Sequence, residues 1–155
     1  MSIELKVLCH QDIDLILDYE KSKLQQSQKS EVEQMAAEWQ SKWRREALEH
    51  YLPQGWSMVA RDESGKLLGY FLAQPFLFYR GMTQVLWVEH LQFESTAIIK
   101  SLIDTAYRLS REKHLQAVLF ANETEHEVSE VLKLYSRQRL SPATIEIPTT
   151  KGGSH

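Results

Sequence analysis

A chain of 155 residues, 43% hydrophobic and 25% charged, has the composition of a folded globular domain with a sizeable core. Its net charge of −3 gives no reason to expect nucleic acid or an anionic membrane surface as partner. A single cysteine, Cys9, excludes an intrachain disulfide, and no apolar run is long enough to span a bilayer.

In chain order, Ile3, Leu5 and Val7 alternate with polar residues and predict a half-buried strand. Cys9 follows in an apolar stretch, where a small buried residue is the expectation. Ile13, Ile16, Leu17 and Leu24 then recur at helical spacing. Ser30 and Glu33 form a capping-box pattern ahead of a second helix. Its expected apolar face is Val32, Met35, Ala36, Trp39, Trp43, Ala47 and Tyr51, and Pro53 with Gly55 ends it. The basic cluster Lys42, Arg44, Arg45 fits the solvated face of that helix.

Strand formers come next. Trp56 to Arg61 and Leu67 to Ala73 read as a hairpin whose loop, 62–66, needs positive φ at Gly65. Pro75 belongs at a bulge or edge, because it cannot donate to a ladder. Phe76 to Tyr79 extends the strand, and Gln84 to Phe93 is a long, largely apolar one. Three sequential antiparallel strands follow from these short connections. Thr96 to Lys113 is a helix with Ile98, Ile99, Leu102, Ile103, Ala106 and Leu109 inward. Leu115 to Ala121 reads as a strand inside the sheet. Thr124 and Glu127 offer another capping box, Val128, Val131, Leu132 and Tyr135 a last helical face, and Ala143 to Ile147 a final strand. The order is β-α-α-β-β-β-α-β-α-β, a mixed, mostly antiparallel α/β fold. Residues 1–148 are expected to form one domain and 149–155 a flexible tail, in which Gly-Ser-His has the look of an expression-tag stub. Met1-Ser2-Ile3-Glu4 has neither the charge nor the apolar run of a signal peptide, so the cytoplasm is the expected location.

That order resembles the GNAT superfamily of N-acetyltransferases over nearly the whole chain. Trp87-Val88-Glu89-His90-Leu91-Gln92-Phe93 is similar to the family's central strand before the cofactor loop. Asn122 with Leu134-Tyr135-Ser136-Arg137-Gln138-Arg139-Leu140 is similar to the family's late helix, in which Asn closes the preceding strand. The resemblance implies acyl transfer from acetyl-CoA or another acyl-CoA to a small-molecule or peptide amine. It implies Glu89 as base and Tyr135 as acid, and a cofactor junction at Phe93, Ser95, Thr96, Ala97, Lys100 and Asn122. Strand alternation places Glu89, Leu91 and Phe93 on one face and His90 and Gln92 on the other, so either Glu89 or His90 faces the cleft.

One departure bears on function. The family's Q/R-x-x-G-x-G/A loop points backbone N–H groups at a pyrophosphate, and glycine permits the close approach. Here the chain reads Phe93-Glu94-Ser95-Thr96-Ala97-Ile98-Ile99-Lys100, with no glycine and with Glu94 adding negative charge. Ser95 or Thr96 as a simple helix cap is the plainer reading of this junction. The aromatic segment Phe76, Phe78, Tyr79 and the pair Trp39, Trp43 are read as core first, and otherwise as an acceptor-pocket lining or a homodimer contact. The histidines His10, His50, His114 and His126 lack metal-ligand spacing, and Glu123 with His126 is far short of a zinc site. The competing function is a binding or dimerisation module that has lost acyl-CoA.

Overall fold

Alternation, capping and glycine placement produce the expected elements with few exceptions. The computed structural model describes residues 2–27, 29–79, 82–121, 130–131, 139–140 and 144–149. Strand β1 (Glu4–Val7) leads through a 3-10 turn at His10–Asp12 into α1 (Ile13–Gln26). Helix α1 buries Ile13, Ile16, Leu17 and Glu20. Helix α2 (Glu31–Gln40) begins with the expected capping box: the Ser30 hydroxyl accepts from Glu33 N at 3.2 Å, and Ser30 N donates to the Glu33 carboxylate at 3.3 Å. Helix α3 (Arg45–Tyr51) runs through a 3-10 turn to Gly55, whose φ of 79° is the left-handed conformation that glycine adopts without strain.

Strands β2 (Met58–Arg61), β3 (Leu67–Tyr79) and β4 (Met82–Phe93) form the expected antiparallel series, and Gly65 has a φ of 88° in the first turn. Pro75 pairs with Leu86 on one side only, because β2 meets β3 no further along than Phe71. It therefore lies on a local edge, where a missing N–H costs no ladder bond. Helix α4 (Thr96–Glu112) crosses to β5 (Ala117–Ala121), which is parallel to β4 and antiparallel to β7 (Thr144–Pro148). With the short β6 (Arg139–Leu140), the seven strands of the described residues lie in the order β1-β2-β3-β4-β5-β7-β6. One face of the sheet packs on α1 and α3 through Leu8, Ile16, Leu48, Tyr70 and Leu72. The other packs on α4 through Phe71, Leu86, Ile98, Leu102 and Phe120.

Four expectations change. The helix drawn from residue 30 to Tyr51 is two helices, because the chain turns extended at Ser41 and Arg44. Ser41 N and its hydroxyl both donate to Glu38 O and end α2. The break lets Trp43 enter the core at 7% exposure, while Val32, Met35 and Trp39 stay outside, Trp39 at 74%. Cys9 is exposed, its thiol 3.3 Å from the Asp12 carboxylate. Lys42 leaves the expected solvated face and reaches Glu89 O, while Arg44 and Arg45 stay exposed beside Trp39 O and Asp14. Arg139 and Leu140, expected in a helix, form the short strand β6 on β7. In addition Thr149, counted with the tail, is buried and donates its N–H to Gln116 O at 3.0 Å. The capping box at Thr124 and Glu127 and the pair Glu123 and His126 lie outside the described residues.

Candidate functional site

Strands β4 and β5 stay paired only from Leu86↔Val118 to Val88↔Phe120. Among the described residues the β4 backbone from Glu89 to Phe93 therefore has no strand beside it on the β5 side. Just past the last of these pairs β4 carries a bulge. Leu72 pairs with His90 and Ala73 with Val88, so Glu89 is the extra residue. A bulge interrupts the two-residue alternation. Glu89 and His90 consequently project from the same face, the α1/α3 face. The Trp87 indole N–H donates to Glu89 Oε2 at 2.5 Å, and His90 lies against the Tyr70 ring at 5.5 Å between centroids. Leu91 and Phe93 pack toward α4 instead. The expected grouping of Glu89 with Leu91 and Phe93 is thus corrected, and so is the choice between Glu89 and His90.

Around Glu89 the contacts come from three elements. Lys42, from the α2–α3 connection, donates to Glu89 O at 3.3 Å. Tyr51, on α3, is buried, and that burial together with the Glu89 carboxylate pushes its hydroxyl up to about 12. Further along β4, on the same face, sits a polar group that the sequence reading missed. Tyr70 OH donates to Glu20 Oε1 at 2.6 Å, and Gln92 Nε2 donates to Glu20 Oε2 at 3.5 Å. His90 Nε2 is 3.8 Å from Glu20 Oε1. The Tyr70 hydroxyl is held well above the ordinary tyrosine range, chiefly by burial and then by Glu20. A signal for Glu20 existed: it falls on the apolar stripe Ile13, Ile16, Leu17, Leu24, where a charged residue has to be accommodated in the interior.

The junction after β4 is occupied by its own contacts. Ser95 caps α4, its hydroxyl accepting from Ile98 N at 3.4 Å. Glu94 N donates to Leu68 O at 2.9 Å. The Glu94 carboxylate turns back to α1, where Tyr19 OH donates to it and Lys23 Nζ lies 3.5 Å away. Thr96, Ala97 and Lys100 are exposed on the first turn of the helix. A glycine does serve this region, though from the neighbouring strand. A Cβ on Gly69 of β3 would meet Gln92 O at 2.6 Å and Ile98 Cγ2 at 2.8 Å, so the start of α4 sits tight on the sheet. The committed Glu94 N–H and the absent glycines leave little to grip a pyrophosphate. Asn122 and Tyr135 lie outside the described residues. Among the described residues no group of three His, Cys, Asp or Glu could hold a metal, and no helix is long and apolar enough to cross a membrane.

No family model matches the chain, and no curated protein matches it by sequence. Solved structures do match by shape. A GNAT-family acetyltransferase from Listeria monocytogenes superposes with a TM-score of 0.65 at 11% identity, covering 94% of each chain. A polyamine N-acetyltransferase from Drosophila melanogaster, which forms N-acetylagmatine, gives 0.65 at 11% identity, over 94% of this chain and 97% of that one. A chain of the NatC complex bound to Gag peptide and CoA gives 0.63 at 20% identity, over 97% and 100%. This is the GNAT fold. In the GNAT fold of this chain the bulged Glu89 falls on the strand singled out in the sequence, and the glycine-free junction follows directly after it.

Proposed function

We propose that this chain is an N-acyltransferase that moves an acetyl or other acyl group from acyl-CoA to an amine. The observation that carries the reading is the bulged Glu89 on β4, just past Val88, the last β4 residue paired with β5 among the described residues. Similarity in fold to the polyamine acetyltransferase and to the CoA-bound NatC chain supports an amine acceptor and a CoA donor. Acyl-CoA would supply the acyl group as a thioester, held by residues of β4 and of the start of α4. Phe93, Ser95, Thr96, Ala97 and Lys100 would border its phosphate end, with Asn122 at the close of β5. The acceptor comes from the α1/α3 face. Glu89 takes the proton released as the amine nitrogen bonds to the acyl carbon, and Tyr135 returns a proton to the departing sulfur. Tyr51 stays protonated beside Glu89 and offers it a fixed dipole rather than a second charge. We place this activity in the cytoplasm.

Calorimetric titration with acetyl-CoA tests the reading. Saturable heat is expected; no heat and no thermal shift at about millimolar cofactor ends it. A second reading, a binding or homodimerising module without CoA chemistry, draws support from the committed Glu94 N–H and from the exposed Val32, Met35 and Trp39. Light scattering that finds a monomer at all concentrations, together with bound acetyl-CoA, eliminates it.

A further inference from the structure

Helix α2 turns its apolar stripe outward. Val32, Met35, Ala36 and Trp39 recur at the i, i+3, i+4, i+7 spacing that normally packs on a core. All four are exposed instead, Val32 at 76% and Met35 at 71%. The helix buries no residue and rests on the domain through its other side, where Gln34, Ala37 and Glu38 are half-buried. The same spacing sets Glu31 and Glu38 along one border of the stripe and Glu33 along the other. No lysine or arginine lies on α2. Of the cations near it, Lys21 pairs with Glu38 at 3.5 Å and Arg44 turns onto Trp39 O. Among the described residues no ion pair engages Glu31 or Glu33. The groove between α1 and α2 is lined by Leu24 and Met35 and by Glu31 and Glu38.

We propose that this face docks a basic amphipathic helix of another protein. A contiguous exposed apolar stripe rimmed by polar groups is the mark of an interaction surface. A helix laid along α2 sets its apolar anchors against Val32 and Trp39 and into the groove beside Leu24 and Met35. Lysines or arginines flanking those anchors meet Glu31 on one border and Glu33 on the other. From Val32 to Trp39 the stripe runs about 10 Å, so a partner segment of about three turns covers it. A second copy of this chain is the poorer occupant. An α2–α2 contact brings carboxylates against carboxylates along both borders, and like charges across an interface oppose association. An anionic lipid surface meets the same repulsion. Docking here needs no CoA chemistry, so it stands or falls apart from the acyltransferase reading.

Two fluorescein-labelled synthetic helices of about four turns serve as probes. One has a leucine stripe flanked by lysine, and its twin has glutamate in place of every lysine. Fluorescence anisotropy should find the lysine helix bound to the wild-type protein about tenfold or more tightly than the glutamate helix. Trp39→Ser and Met35→Ser keep every charge, so they separate the stripe from general attraction to an acidic protein. Each should weaken the lysine helix about tenfold. Equal binding of the two helices overturns the proposal, and this comparison needs no variant to fold. So does binding of the lysine helix that neither serine variant weakens. Light scattering of the wild-type protein should find a monomer. A dimer that Trp39→Ser dissolves makes a second copy the occupant and overturns the proposal. Phosphatidylcholine vesicles should leave the protein in the supernatant on sedimentation, and binding to them that Trp39→Ser abolishes overturns it in favour of a lipid surface.

Discussion

Three tyrosine hydroxyls in this site stand beside carboxylates: Tyr51 near Glu89, Tyr70 on Glu20 and Tyr19 on Glu94. Burial, followed by these carboxylates, raises all three above the ordinary value, Tyr51 to about 12. The sign follows from linkage. An unfolded tyrosine ionises near pH ~10, while the folded one keeps its proton to higher pH. The stability from these hydroxyls is complete below about pH 10 and is lost as pH rises through the folded values. Urea melts at about pH 9, 10 and 11 should show stability falling across the last two, and Tyr51→Phe should fall less steeply. An equal slope in Tyr51→Phe contradicts the raised, buried hydroxyl assigned to Tyr51. Glu89 itself was legible in the sequence, because its strand and its acidic type were both plain. Its direction was not, because a bulge is a matter of register with β3 and leaves no local trace in residues 87–93.

At the scale of elements, α2 and α3 carry the clearest lesson. The spacing of Val32, Met35, Trp39 and Trp43 fits one amphipathic helix, yet the chain breaks between Trp39 and Trp43. Ser41 offers the local stop by donating twice to Glu38 O, and the core takes Trp43 alone. Trp43→Ala should therefore cost about 3–5 kcal/mol in urea unfolding, the usual penalty for deleting a buried aromatic. Trp39→Ala should stay within about 0.5 kcal/mol, as surface substitutions do. Similar losses for the two variants would mean that Trp39 is covered in solution. Caps and turns were more readable than this break. Ser30, Gly55 and Gly65 act through hydrogen bonds or φ within a few residues, so local sequence suffices. Gly69 is the opposite case, since its need for no side chain comes from Gln92 and Ile98, far along the chain.

Across the whole molecule, the sheet order places the bulge and the contacts of His90 and Gln92 with Glu20 along β4. The glycine-free junction sits at the end of that strand, with Glu94 folded back on α1 and Ser95 capping α4. On the proposed acyltransferase reading, that leaves few donors for a pyrophosphate at the junction. Acetyl-CoA and S-acetylpantetheine should accordingly differ in affinity by less than about tenfold, read by competition calorimetry. A much larger advantage for acetyl-CoA would show that the Thr96 and Ala97 end of α4 grips phosphate without glycine.

The sequence by itself determined the antiparallel series β2-β3-β4 with the helix and strand after it, the capping box at Ser30, the left-handed turns at Gly55 and Gly65, the edge position of Pro75, and the glycine-free junction after Phe93. Each of these follows from periodicity or from backbone chemistry within a few residues. Tertiary structure alone decided the break before Trp43, the shared face of Glu89 and His90, and the meeting of Glu20 with Tyr70, His90 and Gln92. Those depend on contacts between segments well apart in the chain, such as Leu72 with His90 and Tyr70 with Glu20. Local spacing carries no record of which distant residue will stand opposite.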